Sequence, residues 1–82
     1  NALGQNYPNP SDEYTIIPLK NIHAKMQLQV IDILGRTVIN QSIEPGTKLI
    51  NVNTSQLKAG IYLYRIIGDD ELIQTRSMGV MH

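Results

Sequence analysis

Cysteine is absent from this chain. A disulfide framework, a thiolate zinc site and a cysteine nucleophile are therefore excluded. Phenylalanine and tryptophan are also absent, so 4 tyrosines carry the whole aromatic content. Neither sign of charge is in excess, because 7 basic residues balance 7 acidic ones. That balance argues against a nucleic-acid footprint and against a polybasic membrane anchor. No apolar run approaches the ~20 residues of a membrane-spanning helix. No secretory signal peptide is visible and the first residue is not Met. The sequence is thus expected to be a piece of a longer protein, with any targeting segment outside it. At 82 residues the expectation is one domain of modest stability.

What is present begins with "NYPNP", residues 6–10. Pro8 and Pro10 have fixed φ and no backbone N–H. Tyr7 and Asn9 each precede a proline and are pushed toward extended geometry. The stretch reads as a short, stiff, extended strut that cannot be a central strand. Residues 1–10 are expected to form a linker or strut and residues 11–82 the folded body.

Beyond the strut, strand periodicity runs almost throughout. "YTIIPL" (14–19) is a short apolar run whose proline suggests an edge strand. In "KMQLQVIDI" (25–33), Met26, Leu28 and Val30 alternate with Lys25, Gln27 and Gln29, the pattern of a half-buried strand. Gly35 follows as a turn residue, Asp32 is expected to bond local backbone, and "TVINQSI" (37–43) reads as the return strand. "EPG" (44–46) and "GDD" (68–70) are further turns, separated by the strands "KLINVN" (48–53) and "IYLYRII" (61–67). "ELIQTRSMGVM" (71–81) closes the chain as one bent strand or two short ones, with Gly79 marking a bulge.

No good helix emerges; "TSQLKAG" (54–60) fits a loop or a single helical turn crossing between sheets. The pattern predicts an all-β, Ig-like or fibronectin-like antiparallel β-sandwich of six or seven strands, with a small barrel as the alternative. The expected core is Met26, Leu28, Val30, Ile50, Val52, Leu57, Tyr62, Tyr64 and Ile66. In "LKAGIYLY" (57–64) the order Leu57, Gly60, Tyr62 resembles a tyrosine corner, in which the Tyr62 hydroxyl bonds back to the crossing loop.

Groups that could do chemistry are few. A metal site would need His23 and His82, the only histidines, to converge with a carboxylate, and nothing in their spacing supports that. Asp69, Asp70 and Glu71 sit at an expected turn and read as a solvated loop rather than an acid–base pair. "NQS" (40–42) and "NTS" (53–55) match the glycosylation acceptor pattern, which arises easily by chance. No Ser–His–Asp spacing, nucleophile elbow or phosphate loop is present. The sequence predicts no enzyme and no cofactor.

Several motifs stand in order along nearly the whole chain: "QNYPNP" (5–10), "YTIIPL", "MQLQVIDILGRTV" (26–38), "LKAGIYLYRI" (57–66) and "TRSMGVM" (75–81). This order closely resembles the type A C-terminal sorting domain of proteins exported by the type IX secretion system of Bacteroidota. The resemblance covers residues 5 to 82. It implies an address label recognised at the outer membrane by a translocon and a barrel-shaped shuttle protein. In many members a cysteine sortase then removes the label and the cargo is joined to lipopolysaccharide. The implied partners are those components and a covalently fused N-terminal cargo. The implied route runs through the periplasm to the cell surface or the medium.

Tyr7, Pro8, Asn9 and Pro10 fall on the family's opening motif, and Tyr7 is expected to dock on the end of the sandwich. Gly60, Ile61 and Tyr62 fall on its Gly-x-Tyr position. Arg76, Met78 and Val80 fall in the terminal stretch, with Arg76 replacing the usual Lys and expected to be exposed. Ser11, Gly79 and His82 depart from the family pattern. Two rivals stand beside this reading: an Ig-like accessory module of a secreted hydrolase, and an adhesive module that pairs through an open edge strand.

Overall fold

Strand side chains alternate between faces, and here one parity is consistently buried. Thr15 and Ile17, Leu28 and Val30, Ile50 and Val52, and Tyr62, Tyr64 and Ile66 are all buried. The computed structural model describes residues 2–69 and 71–82. Its strands are β1 (Tyr14–Pro18), β2 (Met26–Ile31), β3 (Thr37–Ile43), β4 (Leu49–Asn53), β5 (Gly60–Gly68) and β6 (Glu71–Val80). They form two antiparallel sheets, a two-stranded β1-β4 and a four-stranded β3-β2-β5-β6. The chain is all-β, and among the described residues no helix interrupts it.

One apolar cluster joins the sheets: Ile17, Ile50 and Val52 from the first meet Leu28, Val30, Tyr64, Ile66 and Met78 from the second. Each fully buried aliphatic side chain contributes about 1.5–3 kcal/mol. Seven of the nine expected core residues are buried, while Met26 and Leu57 pack against the cluster from partly buried positions. Leu3, Leu19, Ile22, Ile43, Met78 and Val80 join them.

The turns follow their glycines, with φ of 84° at Gly35 and 85° at Gly46. Asp32 bonds the local backbone as expected, its Oδ1 accepting from the Leu34 and Arg36 amides at 2.9 Å each. The expected turn at 68–70 includes Asp70, which lies outside the described residues.

Two expectations are corrected. Gly79 is not a bulge: it pairs in register with Ile61, and β6 slips instead where Ile66 opposes Gln74 and Ile67 opposes Leu72. The skipped residue is Ile73, as Val38 is in β3. Gly79 stays in line because β5 holds it on one side and residues 9 and 11 hold it on the other. Nor is the proline segment a straight strut. Residues 8–10 bend, because Tyr7 is tied to β1 and Ser11 to β6, so the chain must cross between the sheets there.

Candidate functional site

The N-terminal segment is bound to both sheets. Leu3 is in the core and bridges to Leu19. The Gly4 amide donates to the Pro18 carbonyl at 2.8 Å. A Cβ on Gly4 would stand 2.7 Å from Pro18 Cγ, so the close approach requires glycine. Tyr7 exchanges both backbone hydrogen bonds with Ile16, at 2.9 and 2.7 Å.

Asn6 is buried, so its polar atoms need partners. Its Nδ2 donates to Thr15 Oγ1 at 2.9 Å and its Oδ1 accepts from Gln5 Nε2 at 2.7 Å. The Thr15 hydroxyl in turn donates to the Pro8 carbonyl at 3.0 Å. The Tyr64 hydroxyl completes the seating, accepting from the Asn6 amide at 2.9 Å and donating to the Gly4 carbonyl at 2.7 Å. Burial pushes the Tyr64 phenol above its ordinary value.

β6 supplies the other wall. Gln74 and Arg76 continue the inward face of Met78 and Val80, but they meet peptide groups rather than apolar side chains. Gln74 Oε1 accepts from the Ala2 and Leu3 amides at 3.2 and 3.0 Å. Arg76 Nε donates to the Leu3 carbonyl at 2.7 Å.

The bent proline segment then closes on the end of β6. Asn9 Oδ1 accepts from the Gly79 amide at 2.9 Å. The Ser11 amide donates to the Gly79 carbonyl at 2.9 Å, and the Met81 amide to the Ser11 carbonyl at 2.8 Å. His82 fixes the last turn of chain: Nδ1 lies 2.7 Å from Asp12 Oδ1 and Nε2 lies 2.6 Å from the Leu57 carbonyl. The hydrogen bond to Asp12, then that to the Leu57 carbonyl, hold its pKa above the ordinary 6.5.

The loop between β4 and β5 forms the third side. The Tyr62 hydroxyl donates back to the Lys58 carbonyl at 2.7 Å, the tyrosine-corner bond expected from the sequence. Gly60, with φ of 156°, sits where L side chains rarely go. An open groove results, lined by Asn9 and Pro10, by Gly60 and Ile61, and by the 77–81 end of the chain. Ile61 and Met81 present apolar side chains that are 61% and 64% exposed.

The sequence-derived site residues therefore divide. Asn9, Pro10, Gly60, Ile61, Met78 and Val80 come together at this groove, and Tyr62 pins its loop. Tyr7 and Pro8 are outside it: Tyr7 is tied by its backbone to β1 and its side chain is 49% exposed rather than docked. Arg76 is not a free surface charge, because its guanidinium is bonded to the Leu3 carbonyl in a half-buried position. Met78 and Val80 have buried side chains and are paired in register with Tyr62 and Gly60 of β5, so they shape the groove from beneath.

Sequence reasoning missed Asn6, Ser11, Gln74 and Met81. A buried Asn or Ser in a proline segment gives no periodic signal. Gln74 reads as solvent-facing until its backbone partners are known. Among the described residues no group of three or more His, Cys, Asp and Glu is placed to hold a metal.

The family model described as "Secretion system C-terminal sorting domain" matches residues 5–79. A comparison with curated proteins gave no match. The matched span starts beside Asn6, at the base of the proline segment, and ends at Gly79, the residue that segment holds. The chain belongs to the secretion system C-terminal sorting domain family, and its part in type IX secretion is that of a signal and not of an enzyme.

Proposed function

We propose that this chain is the address label of a secreted cargo and that the export machinery reads the groove between Asn9, Ile61 and Met81. One observation carries the reading: segments far apart in sequence, all drawn from the family's motifs, meet at that groove. Ile61 and Met81 offer apolar contact, and the edge of β6 beside them is closed by Asn9 and Ser11, so side chains rather than free backbone present the signal. Met78 and Val80 then act by setting the position of that edge, and Arg76 by holding the junction against it.

In this reading the two sheets face each other as an Ig-like or fibronectin-like sandwich. The cargo precedes residues 1–10, which form the junction, and residues 11–82 form the sorting body. The label crosses the periplasm and is bound at the outer membrane by the translocon and its barrel-shaped shuttle, leaving the cargo at the surface or in the medium. Where a sortase parts label from cargo, the cut falls before Ala2, because the peptide groups from Ala2 onward are engaged by Gln74, Lys20, Arg76, Pro18 and Tyr64.

The test is to fuse residues 1–82 to the C-terminus of a periplasmic reporter in a strain with this secretion system. Reporter at the surface or in the medium is the expected result. A stable fusion retained in the periplasm overturns the proposal and favours the accessory-module reading.

A further inference from the structure

The turn between β2 and β3 holds two aliphatic side chains out in water. Its shape is fixed by Asp32: the Gly35 amide donates to the Asp32 carbonyl at 3.0 Å, and Arg36 Nε meets Asp32 Oδ2 at 2.8 Å. Hydrogen bonds to its carboxylate, from the Arg36 amide most and then from the Arg36 side chain and the Leu34 amide, lower the Asp32 pKa below its ordinary value. At the tip, Ile33 and Leu34 are 83% and 71% exposed. The turn needs Asp32 and Gly35 for its geometry, but nothing in it uses two large apolar residues.

The surroundings of Ile33 are one-sided in charge. It stands as a ridge between two hollows. Both reach Ile61; one runs past Leu34 to Arg36 and Lys58, the other past Leu63 to Arg65. Three cations and one acid, Asp32, line the patch, and because Asp32 is paired with Arg36 the excess is carried by Lys58 and Arg65. The chain is neutral overall, so this is a local excess.

We propose that this tip lies on an anionic phospholipid surface, with Ile33 and Leu34 entering the acyl boundary and Lys58 and Arg65 meeting the headgroups. An apolar projection ringed by cations is the layout of an element that rests on a membrane interface without spanning it. A peptide ligand would be served by a concave apolar floor, whereas Ile33 projects. A second copy docking face to face would set cation against cation. The patch shares Ile61 with the groove, but its test involves no export, so the two readings fail separately.

The 82-residue chain is mixed with vesicles of phosphatidylcholine, or of phosphatidylcholine with phosphatidylglycerol, and sedimented. Binding is expected only to the anionic vesicles and is expected to fall as salt is raised. Ile33→Ser and Leu34→Ser should each weaken partitioning about tenfold. Lys58→Gln, which leaves the turn intact, should weaken it about fivefold. Urea midpoints of the variants should match the parent. Absence of binding to anionic vesicles overturns the proposal, as does equal binding to neutral ones or binding that the serine variants leave unchanged. A parent dimer by light scattering that Ile33→Ser returns to monomer overturns it in favour of a second copy.

Discussion

The hydroxyl of Tyr64 accepts a hydrogen bond from the Asn6 amide at 2.9 Å, joining the middle of β5 to the start of the proline segment. The same hydroxyl donates to the Gly4 carbonyl, so one buried side chain serves two peptide groups of the N-terminal segment. The tyrosine-corner bond, from Tyr62 to Lys58, serves an exposed loop that water can reach.

The two tyrosines should therefore respond unequally to loss of the hydroxyl. Tyr64→Phe leaves the buried Asn6 N–H unsatisfied and should cost about 2 kcal/mol. Tyr62→Phe should cost about 0.5–1.5 kcal/mol, the net value of an ordinary hydrogen bond. Urea midpoints measure both. Equal losses would mean that Tyr64 does not hold the segment.

Removal of residues 1–10 should destabilise the body rather than merely shorten it. Leu3 leaves the core, and Gln74, Arg76 and Tyr64 lose their backbone partners. Loss of a buried leucine alone costs about 2–5 kcal/mol, and unpaired buried groups add to it. The truncated chain should unfold at much lower urea. A truncation that melts like the parent would contradict this account of the junction.

For the same reason Arg76→Glu should not spare the fold. It removes the donor to the Leu3 carbonyl and sets a carboxylate beside that oxygen. Arg76→Lys keeps a charge and N–H donors but loses the planar fork, and should fall between parent and Glu. Thermal melting of the three proteins checks the order.

His82 predicts a pH dependence. Both ring nitrogens face acceptors, the Asp12 carboxylate and the Leu57 carbonyl, so only the imidazolium supplies two protons. The folded-state pKa is raised above 6.5. The resulting stabilisation is full below pH 6.5 and is lost as pH rises through the raised value. The stability advantage of the parent over His82→Gln should shrink over that window. A titration of the His82 ring by NMR with a midpoint at or below 6.5 would refute the clasp.

How much of this was legible follows from where each residue's partner lies. Leu28, Val30, Ile50 and Val52 alternate with polar neighbours in short runs, so their burial is written locally. Gly35, Asp32 and Tyr62 act within four residues of themselves, and the sequence shows them for the same reason. Leu3 and Asn6 are held by Gln74, Arg76 and Tyr64, 58 to 73 positions away, and no local period announces such contacts. Gln74 and Arg76 occupy inward positions but satisfy peptide groups, so their polarity points the wrong way. The groove was visible only as separate motifs, because nothing in one chain's order states that Asn9 and Gly79 touch.

The central claim is that the groove, and not merely the fold, is what the export machinery reads. The most direct measurement is surface delivery of a reporter fused to residues 1–82 carrying Ile61→Ser with Met81→Ser. Leu49→Ser, an equally exposed change on β4 outside the groove, serves as the control. All three fusions should share the parent's urea midpoint, since every altered side chain is exposed. The account predicts that the groove variant accumulates in the periplasm while parent and control reach the surface. Delivery of the groove variant at the parent's rate would contradict it.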